Sequence, residues 1–145
     1  MMIAMTIIGV LVSLAFPLLH DALEKARVAH ATGDIRAIQV DIDSFEANGM
    51  GLPLSLAEIG RDGMEDPWGA DYIYLNFGRD VCLSRRGGLP QGARMDRFMV
   101  PVNCTYDLYS VGKDGSTQAQ FTAPPAKDDV VRANDGGYIG LAEKF

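Results

Sequence analysis

The first nineteen residues of this 145-residue chain carry no charge, and the whole chain has only two histidines and two cysteines. Each shortage excludes a class of chemistry. Cys82 and Cys104 form no C-x-x-C pair and have only His20 and His30 for company, so no zinc ligand set can be assembled. Those histidines, ten residues apart on one helical stretch, are about 15 Å from each other, too far for a shared catalytic role. The hydroxyl residues lack a neighbouring His–Asp arrangement, so no nucleophile triad is available. Basic residues are outnumbered, 13 against 19 acidic, for a net charge of −6. No Lys/Arg run exceeds the pair Arg85-Arg86, which argues against nucleic acid as a partner, since such binding relies on neutralising phosphates. Arg86-Gly87-Gly88 does not open a helix in a βαβ unit, so it is a weak phosphate cradle. Trp68 and the tyrosines read as core and interface residues. Repeats and low-complexity tracts are absent, and no enzyme is expected.

What is present is a long apolar opening, MMIAMTIIGVLVSLAFPLL, interrupted only by Thr6, Gly9, Ser13 and Pro17. About 20 such residues at about 1.5 Å each span the hydrocarbon core of a bilayer, and Thr and Ser can bond back to their own helix. A buried core helix seldom runs this far without a polar face. A cleaved secretory signal would need a basic stretch before the run and a small-x-small site after it, and neither is seen. The remaining reading is a membrane-inserted helix that also packs against copies of itself. Charge begins at His20-Asp21 and the helical pattern continues without a break, so residues 1–19 are read as the inserting half and residues 20–145 as a single small domain.

From Ala22 to about Ala47 the pattern is helical. Ile35, Ile38, Ile42 and Phe45 share one stripe, with Asp34, Arg36, Asp41 and Asp43 mainly off it. Leu19, Leu23 and Ala26 extend an apolar edge, and Asp21 and Lys25 are spaced for an i,i+4 pair. One helix of nearly 50 residues is expected, kinked or loosened at Pro17, whose ring cannot donate the interior hydrogen bond. Asn48-Gly49 and Gly51-Leu52-Pro53 end it. Ser55 and Glu58 have capping-box spacing, which predicts a short second helix over residues 55–59. Asp66-Pro67-Trp68-Gly69 reads as a turn, and residues 72–75, 98–102 and 106–111 read as strands. Residues 79–97 form a polar, glycine-rich loop. Gly112-Lys113-Asp114-Gly115 is a tight turn, residues 116–127 a loop, Asp128-Asp129-Val130-Val131 one helical turn, and Tyr138-Ile139-Gly140-Leu141 packs the C-terminus back. Cys82 and Cys104 suit one disulfide in an oxidising compartment, two buried thiols being the alternative. The bridge would close a loop of 21 intervening residues, worth roughly 3 kcal/mol by loop-closure entropy.

These parts carry a resemblance. MMIAMTIIGVLVSLAFP resembles the N-terminal helix of type IV pilin-like proteins. DPWGADYIY, YDLYSVGKDG and DDVVRANDGGYIG resemble the C-terminal domain of the major pseudopilins of type II secretion systems. The resemblance implies an α+β pilin-like fold, a long N-terminal helix packed on a small antiparallel β-sheet, and a structural role. Subunits would wait in the bacterial inner membrane as single-pass proteins with a periplasmic domain. They would then stack as a homo-oligomeric helical filament, in the periplasm or outside, with minor pseudopilins and an inner-membrane assembly platform as partners. Met1, Met5, Gly9, Val12, Ser13, Phe16 and Pro17 would line the filament interface, and small Ala4, Gly9, Ser13 and Ala15 would let helices approach. Non-closing, head-to-tail contacts of this kind give open filaments.

Members of the family are made with a basic leader that is cut before methylation, and they carry an acid near the mature start. Matching Gly9 and Pro17 to the family helix places that start about five residues before Met1. The resemblance also implies a calcium ion tying the Asp114 turn to the loop before the C-terminus. Asp114, Asp128 and Asp129 would supply charged oxygens, with the Leu108 carbonyl and the Ser110 hydroxyl as neutral ones; turns and caps favour Asp on their own. Two departures stand out. The segment between Cys82 and Cys104 is longer than a simple pseudopilin hairpin, which suits a surface type IV pilus subunit. The 116–127 loop holds Ala, Gln, Phe and two prolines where the family is glycine-rich and acidic. Asn103-Cys104-Thr105 fits the glycosylation pattern. The competing class, a membrane-anchored periplasmic binding domain that never polymerises, would call for a flexible linker after the rod.

Overall fold

The computed structural model describes residues 2–83 and 88–145, and for residues 2, 4–15 and 18 it describes the path of the backbone alone. Helix α1 runs over Met2–Phe45 and continues through Pro17. It ends in a wider, π-helical turn at Glu46–Met50, where Gly49 adopts a left-handed φ that a side chain would resist. Four short strands follow: β1 at Ile73–Asn76, β2 at Tyr106–Ser110, β3 at Val130–Ala133 and β4 at Tyr138–Leu141. They form one antiparallel meander in the order β1-β2-β3-β4. The result is the expected α+β architecture, one long N-terminal helix and a small antiparallel sheet.

Side-chain alternation gives the sheet two faces. Tyr106 and Leu108 of β2 and Val130 of β3 meet Ala31, Ile35, Ile38 and Ile42 of α1, all buried, with Tyr72, Tyr74, Ile139 and Leu141 around them. The predicted isoleucine stripe is therefore the helix's contact with the sheet, and Phe45 at its end is half-buried. Residues of opposite parity, Tyr109, Val131, Ala133 and Tyr138, form a second cluster with Val102, Phe121 and Ala142. Loops rather than a helix cover that second face. Asp34 accepts the Tyr72 hydroxyl at 2.8 Å and Asp41 pairs with Arg61 at 2.7 Å, so the flanks of the stripe hold the connections to β1.

Several local expectations need correction. Residues 98–102 form no strand. Pro101 has no N–H to donate, and Val102 instead bonds through its N–H to the Arg94 carbonyl and through its carbonyl to the Asn134 N–H, as part of the loop cover. Residues 128–131 form no helical turn: Val130 and Val131, both β-branched, enter β3, where the free edge of β2 offers partners. Tyr138–Leu141 is a full strand. The second helix is a 3-10 turn at Leu56–Ile59 whose Ser55 hydroxyl makes no capping bond; Glu58 accepts the Leu54 N–H at 2.8 Å, one residue before the box would place it. Near the start of the domain the ion pair among the described residues is Arg27–Glu24, at 2.8 Å, rather than Asp21–Lys25.

Ahead of the domain the described apolar side chains of α1 are exposed. Ile3, Phe16, Leu19 and Leu23 are 77%, 73%, 59% and 51% exposed. Among the described residues, no helix is long and apolar enough to cross a membrane; most side chains of the uncharged run lie outside them. If the stripe anchors the fold, Ile38→Ala should cost about 2–5 kcal/mol in urea unfolding. Val40→Ala, on the outer face of the same turn, should change it by less than about 0.5 kcal/mol.

Candidate functional site

The motif residues meet where α1 leaves the domain. Asp66 opens its turn by accepting the N–H groups of Trp68 and Ala70, both at 2.9 Å. The other oxygen of Asp66 takes a short hydrogen bond from the Ser110 hydroxyl, which in turn accepts the Gly112 N–H at 3.0 Å. Trp68 then donates Nε1 to Glu24 of α1 at 3.4 Å, and Lys113 reaches the same carboxylate at 4.0 Å. Burial pushes the Glu24 pKa up, but the Trp68 hydrogen bond and the charges of Lys113 and Arg27 outweigh it and hold the group below its ordinary value. The two stretches that carried the resemblance, Asp66–Gly69 and Leu108–Gly115, thus build one clamp onto the helix.

The acids of the expected calcium site are divided. Asp128 and Asp129 lie in the turn just before β3 and take separate partners. Asp128 accepts the Asp114 N–H at 2.9 Å, and Asp114 accepts the Ser116 N–H at 2.7 Å. Gly112 lies so close beneath Asp128 that a side chain there would collide with the Asp128 carbonyl. Asp129 turns inward, fully buried, and meets Arg94 Nη2 at 3.0 Å and the Thr117 hydroxyl. Ser110 already has Asp66 and Gly112 as partners, and Leu108 is the middle residue of β2. Among the described residues, the ligand atoms of Asp114, Asp128 and Asp129 do not gather as a metal-holding group; the one group that does, Asp80, Cys82 and Cys104, has both its sulfurs in a disulfide. This donor set does not fit a cage of six to eight oxygens.

Arg94, from the 79–97 loop, is a residue the sequence gave no reason to single out. It is buried, stacked 3.5 Å above the Tyr109 ring, and donates to the Gln118 carbonyl, the Thr117 hydroxyl and Asp129. Its backbone N–H is held by Asp107, which also accepts Asn103 Nδ2 at 2.8 Å. Burial pushes the Asp107 pKa up. Burial likewise pushes Asp129 up to about 6, against the pull of Thr117 and Arg94. Asn103 is itself fully buried and also donates to the Arg132 carbonyl, so the folded chain presents no glycan acceptor there. Cys82 and Cys104 are bridged as expected.

Of the expected filament residues, Phe16 and Pro17 are exposed on α1. Met1 and the side chains of Met5, Gly9, Val12 and Ser13 lie outside the described residues, as do those of Ala4, Leu14 and Ala15 and the run Arg85-Arg86-Gly87.

The chain is similar to the type II secretion system core protein G of Pseudomonas aeruginosa, 25% identical over 114 residues that span 79% of each chain. This chain is pilin-like and related to that protein. No family model matches the chain, and no solved structure does.

Two measurements probe these contacts. Asp66→Ala leaves the buried Ser110 O–H and two turn N–H groups without an acceptor and should cost about 1–3 kcal/mol in urea unfolding. Asp129 ionises near pH 6 when folded but near its ordinary 3.8 when unfolded. Its contribution to stability is therefore greatest at low pH and is lost as pH rises through 6. From about pH 7 to about pH 5, the stability of the wild type measured against Asp129→Asn should rise.

Proposed function

We propose that this chain is a structural subunit of a type II secretion pseudopilus, polymerising through the front half of α1. The observation that carries the reading is the exposure of the described apolar side chains on the front of α1, Ile3, Phe16, Leu19 and Leu23. Among the described residues, the first side-chain hydrogen bond or ion pair from α1 to the rest of the chain is at Glu24, about 30 Å along the helix from its start. The sequence of that rod is uncharged for nineteen residues. Water is the least favourable surroundings for such a surface, at about 25 cal/mol per Å² of apolar area. Lipid shelters it first, with the chain a single-pass protein of the bacterial inner membrane and its domain in the periplasm. Sister helices shelter it in the filament. Lipid and protein are similarly apolar, so close packing through Ala4, Gly9, Ser13 and Ala15 decides assembly.

The relative's name, a core protein of type II secretion, supports this placement, with minor pseudopilins and an inner-membrane platform as partners. A surface pilus is the second reading, favoured by the length of the disulfide-closed segment. An anchored domain that does not polymerise would need a hinge after the rod, and unbroken α1 speaks against one. Gly9→Asp or Leu14→Asp places a charge in the packed rod and should abolish filaments seen by electron microscopy, while the folded domain keeps its unfolding transition. Intact fibres from either variant would overturn the reading.

A further inference from the structure

We infer that the guanidinium of Arg94, rather than a bound calcium ion, is the cation that fastens the 112–129 excursion to the sheet. The two departures from the pseudopilin pattern explain each other on this view. The long segment between the cysteines reaches across the second face of the sheet and delivers Arg94 beneath the excursion. There Arg94 grips it at three points: the Gln118 carbonyl, the Thr117 hydroxyl and the Asp129 carboxylate. The ends of the segment are joined by the Cys82–Cys104 bridge, and its middle is held by the Arg94 N–H on Asp107. A divalent ion and a guanidinium answer the same need, a positive charge with several directed contacts to carboxylate, carbonyl and hydroxyl oxygens. Only one of them comes with the polypeptide. Arg94 and Thr117 both bond Oδ2 of Asp129 and leave its buried Oδ1 without a partner, while the Asp114 turn takes Asp128 as its charged partner from the loop. The turn closes through a backbone N–H rather than through a shared ion. The loop's shortage of glycine and acid follows, because a side-chain staple asks for no string of converging oxygens. Arg94 also lies flat on Tyr109, which a hydrated metal ion could not do.

The test uses the full-length chain in detergent and does not depend on filament formation. Thermal unfolding is followed with excess calcium chloride and with EDTA, alongside limited trypsin digestion at the exposed Lys113 and Lys127. The wild type should show the same Tm in both conditions. Arg94→Met should lower Tm by roughly 10 °C, because it strands a buried carboxylate, and should open the excursion to trypsin. Arg94→Met with Asp129→Leu should regain part of the loss. If Arg94→Met alone does not fold, Thr117→Val and the wild-type calcium comparison still decide: Thr117→Val should raise the trypsin cleavage rate severalfold. A wild-type Tm that falls with EDTA and returns with calcium would overturn the inference. So would an Arg94→Met protein with unchanged Tm and digestion.

Discussion

Ile35, Ile38 and Ile42 lie on one side of a helix and are shut against Tyr106, Leu108 and Val130 of the sheet. Every other feature of the molecule is arranged around that contact. It occupies the rear of α1, and the described apolar side chains of the front, Ile3, Phe16, Leu19 and Leu23, stand exposed. It uses one face of four short strands, so the other face must be closed by whatever chain remains. Three such side chains contribute several kcal/mol between them at about 25 cal/mol per Å². For a domain of this size that is a large part of the net stability.

Closing the second face with loops brings a difficulty that a helix would avoid. A covering loop carries backbone N–H and C=O groups into the interior, and each must find a partner. The answer here is a set of buried polar side chains. Asn103 ties Asp107 to the Arg132 carbonyl and Arg94 ties three groups of the 117–129 stretch; on the helix side, Arg132 spans from Gln39 to the Tyr106 carbonyl while lying over the Tyr106 ring. Buried charge of this kind adds less to stability than an apolar core of equal volume. It does fix which loop lies where, and Asp129 carries the strain of that arrangement in its raised proton affinity.

The sequence made these two halves legible to different degrees. The helix and its stripe could be read because a period of 3.6 repeats over many turns, and Tyr72–Leu75 and Tyr106–Val111 because aromatic and β-branched residues cluster between turns. Asp128-Asp129-Val130-Val131 was too short for either period to assert itself, and its strand character comes from pairing with β2 and β4. Reading it as a helical turn also hid the split between the two acids, of which Asp128 bonds the Asp114 N–H and Asp129 is buried against Arg94. Arg94 was beyond reach for another reason. The hydrogen-bond partners of its side chain are 23 to 35 residues further along the chain, and nothing in a glycine-rich polar loop marks one arginine of several as buried. The disulfide was visible in the count of cysteines, and the clamp of Asp66, Trp68, Ser110 and Glu24 in motifs whose mutual contact only the fold brings about.

The isoleucine stripe has a mechanical corollary. Positions 35, 38 and 42 climb two turns of the helix, about 10 Å along its axis, and all three are seated in the same sheet. A twist applied to the projecting rod cannot be absorbed by α1 spinning in its seat, because any spin would lift all three side chains together. A turn of α1 at these positions therefore carries the sheet with it.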